Sequence, residues 1–435
     1  MTSVVVERSV RTSRTRSEVT RLETVVTGAA LLLSLNAVVP LVFDPNPSVE
    51  KVVYDPISQP LWSLIFVFTL VVGARFHREI LAAAAANLPV VVVPLLAVLS
   101  TVWSGAGSLT LQHAIQFALV TVLGIYIGVR QGIRGLVAIT GWVLLIVLVL
   151  SVLFALALPT YGLDPQHDYR WRGVFTTKNE LGRLMVYGGL IWAVRTVTGE
   201  VGRRLGVLVV LGFAVVGVES GSRTALAVAV MLVGASLLAW PFPREVSLVV
   251  PLKGLVVTSL ALVVVLTYGS KDFLLQLVGA DARLTGRTGT WSAVWTAIQD
   301  HPWFGYGFEA FWRGIYGPSL EVWQATGYKT PHSHNGFLDL LLDLGLVGLV
   351  AFVAAYLIVL PRALEALRVG KGSARMFPFV YLALLVFYNL SESSLVSRRS
   401  LEWLLFVAVA AALPLREEER RSDESSPQDG HLPSL

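Results

Sequence analysis

The stretch LVAITGWVLLIVLVLSVLFALA (136–157) holds no charged residue and is as long as a bilayer crossing. An α-helix rises about 1.5 Å per residue, so such a run covers the roughly 30 Å of a hydrocarbon core. A soluble amphipathic helix of this length would carry a polar face at helical period, and this one does not. Similar runs recur on both sides of it, near 24–42, 60–74, 80–100, 111–128, 180–196, 204–219, 224–240, 248–268, 335–360, 376–391 and 401–415. The expectation is an all-α polytopic membrane protein of about twelve transmembrane helices. Nothing alternates at period two over ten-residue segments, which argues against an outer-membrane barrel.

Composition agrees. Of 435 residues 54% are hydrophobic and only 14% charged, with a mean hydropathy of +0.68. A soluble domain carries nearer a quarter charged residues. The net charge of +5 does not imply nucleic acid, because the basic residues sit in short clusters between the apolar runs. There is no cysteine, hence no disulfide and no thiolate metal site.

Charge placement sets an orientation. With the N-terminus cytoplasmic, the inside segments are the N-terminal tail, Arg75–Arg78, Arg130–Arg134, Arg195–Arg204, Arg244, Arg362–Arg375 and the tail after Leu415. They hold most of the 34 Lys and Arg residues, as the positive-inside rule requires. The division is a basic cytoplasmic tail (1–23), nine helices (24–268), a large extracytoplasmic loop (269–334), three helices (335–415) and a disordered cytoplasmic tail (416–435). The first helix reads as an uncleaved signal-anchor.

Basic residues that fall outside work against this bias. They concentrate at Arg170, Arg172 and Lys178; Arg223; Lys271, Arg283, Arg287, Arg313 and Lys329 in the long loop; and Arg398 with Arg399. Solvated surface or headgroup contact accounts equally well for the last two. Arg223 follows Ser222, a candidate N-cap, so its guanidinium falls in a first helical turn. A cation there opposes the helix dipole, and a bound anion would reverse the balance. Arg283 and Arg287 stand before a helix, with Gly286 and Gly289 flanking Arg287 and permitting close backbone approach. Lys178 and Asn179 open another helix, again where backbone N–H groups favour an anion.

The long loop is rich in aromatics. Within it Trp291, Val294, Trp295 and Ile298 recur at helical spacing, the pattern of an amphipathic helix lying flat at the outer bilayer surface. HPWFGYG (301–307) ends that helix. HSHN (332–335) then opens the next span. Histidines at i and i+2, with no carboxylate set beside them, argue against a metal, so no metal site is expected. His332 and His334 read instead as proton-handling or phosphate-contacting groups, with simple helix capping as the plainer alternative. Asn335, Asp339 and Asp343 share one helix face, where either aspartate orients a histidine or pairs with a base such as Arg183. Glu392 is a further outer acid with the same possibilities.

Five stretches in this order resemble motifs of the O-antigen ligase and Wzy-type polysaccharide polymerase superfamily, including its exopolysaccharide polymerase branch. They are RGVFTTKNELG (172–182), GSRTALA (221–227), GRTGTW (286–291), HPWFGYGFEAF (301–311) and HSHNGFLDLLLDLGLVG (332–348). The resemblance implies a GT-C-like fold and metal-independent transfer of a glycan outside the plasma membrane, with no cofactor. It implies a donor linked through diphosphate to undecaprenol, a glycan or lipid acceptor, and other polysaccharide-assembly proteins as partners. It implies catalytic roles for Arg223, Arg287 and His334. Around them Arg170, Arg172, Lys178, Asn179, Arg283, His332, Asn335 and Glu392 are the expected substrate-binding set. TTKN departs from the histidine that many relatives carry before the lysine. A transporter of a lipid-linked or anionic substrate, or an export scaffold, are the alternatives. Against the transporter, the two halves show no repeat.

Overall fold

The computed structural model describes residues 18–37, 57–165, 167–222 and 287–413, the side chains of residues 287 and 288 excepted. Among these the protein is almost wholly helical. The two-residue strands Leu163–Asp164 and Arg170–Trp171 pair antiparallel and close one loop. Three described stretches, Ser58–Ala86, Gly107–Ala157 and Gly336–Val369, are long and apolar enough to cross a membrane. Leu88–Val102, Ser373–Asn389 and Leu401–Ala412 are shorter apolar helices. The expected spans 224–240 and 248–268 lie outside the described residues.

The opening stretch belongs to the 51-residue helix Gly107–Ala157, which bends at Gly132 (φ 60°, ψ 179°). Each arm is some 37 Å long at 1.5 Å per residue, enough for one crossing. The expected spans 111–128 and 136–157 fall one on each arm, with Arg130 and Arg134 flanking the bend. The first arm packs tightly on Leu401–Ala412, because Gly124 and Gly128 present no side chain. A Cβ on Gly124 would sit 2.8 Å from Val407 Cβ, and one on Gly128 would strike the Ala408 carbonyl. Small residues four apart are how apolar helices approach closely where lipid removes the hydrophobic drive.

Two expected spans are broken helices. The run 80–100 divides at Asn87 into His77–Ala86 and Leu88–Leu99. Pro89 has no N–H to continue the ladder, and the Asn87 amide accepts from Arg362 Nη2 (2.5 Å). The run 335–360 extends to Val369 and breaks at Gly345 (φ 63°, ψ −163°).

That second break is filled by the HPWFGYG segment. Leu346 and Val347 donate their N–H groups to the carbonyls of Pro302 (2.8 Å) and Trp303 (3.1 Å). Tyr306 and Gly307 donate to Leu342 O (2.7 Å) and Asp343 O (3.0 Å). Main-chain groups orphaned by a break inside an apolar layer need such partners. The fit requires glycine on both sides: a Cβ on Gly345 would strike Trp303, and one on Gly305 would lie 2.5 Å from Leu342 O.

The loop helix runs over Arg287–Asp300 and does not turn its apolar face to lipid as expected. Val294 and Ile298 are buried against Phe311, Val322 and Leu342, while Trp295 points outward. Phe308, Phe311 and Trp323 are buried as well, so part of the aromatic content of the loop is its own core.

Candidate functional site

The HSHN turn sits at the start of helix Gly336–Val369. Asn335 is the N-cap, its Oδ1 accepting the N–H groups of Phe337 (3.0 Å) and Leu338 (3.2 Å). His334 lies just before it in the left-handed region (φ 57°), a conformation costly for a residue with a Cβ. The turn is held by its neighbours. Ser333 N–H donates to Asp339 Oδ1 (3.2 Å), Asn335 N–H to Ser393 Oγ (3.0 Å) and Gly336 N–H to Glu392 O (3.0 Å). Two indoles from the loop complete the grip: Trp291 Nε1 donates to Ser333 O (2.9 Å) and Trp312 Nε1 to Asp339 Oδ1 (2.9 Å).

His334 Nδ1 lies 3.1 Å from Glu392 Oε2, and the His332 ring stands edge-on to His334 with centroids 4.2 Å apart. The His334 backbone N–H donates to His332 Nδ1 (3.2 Å). One ligand atom from each of His332, His334 and Glu392 lies within 4.8 Å of the others, a spacing that could hold a metal ion. The sequence argument that no carboxylate joins the two histidines is therefore corrected, since Glu392 arrives from the far end of the next helix.

A second group of expected residues gathers at the start of helix Lys178–Val197. Thr177 caps it, accepting the Glu180 N–H (3.3 Å), which gives the TTKN variant a local role. Lys178 Nζ reaches Gly221 O (3.5 Å), and Arg170 passes close to Gly221. The Ser220–Ser222 segment thus lies beside Arg170 and Lys178, as the chain enters the GSR motif. Asn179 is half-buried in the first turn of the helix. Glu180 and Glu392 are near enough to feel each other's charge, so this helix start and the histidine cluster are electrostatic neighbours.

Arg172 differs from its expected place in the substrate-binding set. It is buried, and its guanidinium donates to the carbonyls of Tyr161 (Nε, 2.8 Å) and Thr160 (Nη2, 3.1 Å). Burial lowers its pKa, and the side chain holds the small hairpin loop closed. Arg183 pairs with Glu402 (3.1 Å), not with Asp339 or Asp343. Asp339 holds the HSHN turn, and Asp343 is buried on the same helix face. Arg223, Arg283 and the side chain of Arg287 lie outside the described residues; Arg287 is the first residue of its helix.

Sequence reading missed one cluster. Glu309 Oε2 meets His113 Nδ1 (2.9 Å) and Arg398 Nη1 (3.0 Å), while Oε1 accepts the Arg398 N–H (2.8 Å). It ties the long loop to the start of helix Gly107–Ala157 and to the segment before Leu401. Burial works against the Glu309 charge, but the His113 hydrogen bond and Arg398 hold its pKa down at about 2. The residues come from three distant stretches, and no local pattern announces them.

Residues 207–353 match the family model described as O-antigen ligase, a range that includes Arg223, Arg287 and His334. The chain is also similar to the exopolysaccharide production protein ExoQ of Rhizobium meliloti (strain 1021), at 28% identity over 293 residues. That match covers 63% of this chain and 64% of the relative's own length. Together they bear out the resemblance to the O-antigen ligase and polymerase superfamily.

Proposed function

We propose, from that superfamily as the premise, that the chain is a metal-independent membrane glycan polymerase or ligase working at the outer face of the plasma membrane. Its donor is an oligosaccharide linked through diphosphate to undecaprenol, and its acceptor a glycan or lipid hydroxyl. About twelve spans in a GT-C-like arrangement, with both termini cytoplasmic, place 269–334 and the HSHN turn on the donor's side of the membrane.

The observation that carries the reading is the His334–Glu392 pair, seated on a turn that loop indoles and a helix cap hold still. A carboxylate on Nδ1 fixes the imidazole and supports the positive charge it gains as a base. The acceptor oxygen attacks the anomeric carbon as His334 Nε2 takes its proton. The bond from that carbon to the diphosphate breaks, and the electron pair leaves with undecaprenyl diphosphate. Arg223 and Arg287 meet the developing charge, as guanidinium groups suit phosphate oxygens. Arg170 and Lys178 extend this basic side, and the exposed aromatics Trp303, Phe304, Tyr316 and Tyr328 offer faces for sugars.

The test is alanine substitution at Arg223, Arg287 and His334 in purified protein given a lipid-linked donor. Each is expected to lose about 10²–10³ in rate. Wild-type turnover in all three eliminates the proposal.

A further inference from the structure

We infer that the two histidines of the HSHN turn are held in opposite proton states at Nε2, His334 as acceptor and His332 as a neutral donor, and that together they seat the acceptor hydroxyl. The choice of ligand rests on the transferase reading above. The proton states do not.

Each tautomer follows from a partner whose own role is unambiguous. A backbone N–H only donates, so the His334 N–H at 3.2 Å requires a lone pair on His332 Nδ1. A neutral His332 then carries its proton on Nε2. An ionised carboxylate only accepts, so Glu392 Oε2 at 3.1 Å requires the proton of His334 on Nδ1. His334 Nε2 is left with the lone pair. The two rings therefore present unlike atoms at corresponding positions.

Protonation separates them further. A second proton on His332 would sit on Nδ1, facing the His334 N–H and replacing a hydrogen bond with a repulsion. A second proton on His334 sits on Nε2 and strengthens the bond to Glu392 by giving it charge assistance.

The sign of the site selects its ligand. His334 Nε2 offers electron density next to the Glu392 carboxylate, which repels the oxygens of a diphosphate. A hydroxyl fits, because it donates to one ring and accepts from the other. The ring centroids are 4.2 Å apart, and one ring nitrogen of each histidine lies within 4.8 Å of one on the other, a span that one small group can bridge. During transfer the hydroxyl proton moves to His334 Nε2 as the C–O bond to the donor sugar forms and the bond to diphosphate breaks. The Nε2 proton of His332 stays where it is. His332 thereby steers one lone pair of the attacking oxygen aside and leaves another for the anomeric carbon. The diphosphate belongs to the basic side of the site, and His332 is not one of its contacts.

Nitrogen-15 NMR of the full chain, imidazole-labelled in lipid nanodiscs, reads the proton states directly, with signals assigned by their loss in H332Q and H334Q. At pH 8 the expected forms are Nε2–H at His332 and Nδ1–H at His334. An Nδ1–H His332, or an Nε2–H His334, overturns the inference. Kinetics tests the ligand. Loss of the donor in His332→Leu is expected to raise the acceptor KM about tenfold, one hydrogen bond's worth, with the donor KM unchanged. His332→Gln, whose amide reaches a similar position, should recover most of that. A rise in donor KM, or no change in acceptor KM, overturns the hydroxyl assignment. If the wild type transfers no glycan, the transferase reading and the hydroxyl fall together, while the NMR result still decides the tautomers.

Discussion

His334 Nδ1 lies 3.1 Å from Glu392 Oε2, across 58 residues of sequence and between the start of one helix and the turn after the next. The contact gives the imidazole one orientation and one tautomer. Glu392→Gln offers an amide whose N–H₂ can donate to Nδ1 and turn the ring into the other tautomer. Transfer is expected to fall by about 10²–10⁴ with little change in donor KM, as measured by steady-state turnover. Unchanged kcat would show that the pair is structural.

The main-chain ladder broken at Gly345 is completed by residues 302–307. Gly345→Ala places a Cβ against Trp303 in a backbone region open only to glycine. A loss of roughly 2–4 kcal/mol is expected, together with faster proteolysis of the loop than of the helices. Wild-type thermal stability and cleavage pattern would contradict the inserted-segment arrangement.

Glu309 anchors the loop through His113 and Arg398. Its pKa is depressed to about 2 from an ordinary value of 4.5, so its contribution is present above pH 4.5 and disappears as pH falls toward 2. Glu309→Gln should lose that contribution at neutral pH, on the order of 2–3 kcal/mol, and flatten the acid limb of stability between those values. Thermal unfolding from pH 7 down to pH 3 measures it. A variant whose acid limb matches the wild type would remove Glu309 from the account.

Arg172 is turned toward the Tyr161 and Thr160 carbonyls. Arg172→Met should reduce thermal stability by about 1–3 kcal/mol, since two buried carbonyls lose donors. The donor KM is expected to stay within about twofold, whereas Lys178→Met should raise it. A raised donor KM in Arg172→Met with unchanged stability would return that arginine to the substrate-binding set.

Gly128 meets the Ala408 carbonyl and Gly124 meets Val407. Gly128→Leu should wedge the two helices apart and cost about 1–3 kcal/mol, read as a lower melting temperature in detergent. An unaffected melting temperature would mean that the helices do not cross at these glycines.

Much of this was legible along the chain. The apolar runs from 111 to 157 became helices with a bend where Arg130 and Arg134 had marked a connection, because lipid-facing length and flanking charge are local properties. The helix start at HSHN was legible, though the cap is Asn335 and not a histidine. The orientation of Trp295 was not. A period of three and four describes one face of a helix but not the neighbour that covers it, and Phe311 and Leu342 drew Val294 and Ile298 instead. Nor was the partner of Arg183 legible, because Glu402 is more than two hundred residues away.

The sequence by itself determined that the chain is helical and built of membrane-length apolar segments, and it singled out HSHN among the motifs. These depend on residue types at short spacing, where hydrophobicity, charge and capping act without help. Only the tertiary structure decided that Glu392 backs His334 and that a loop segment completes the break at Gly345. Those facts concern which donor meets which acceptor across distant stretches. Hydrogen bonds reach about 3 Å, so only packing that brings two backbones together can select the pair.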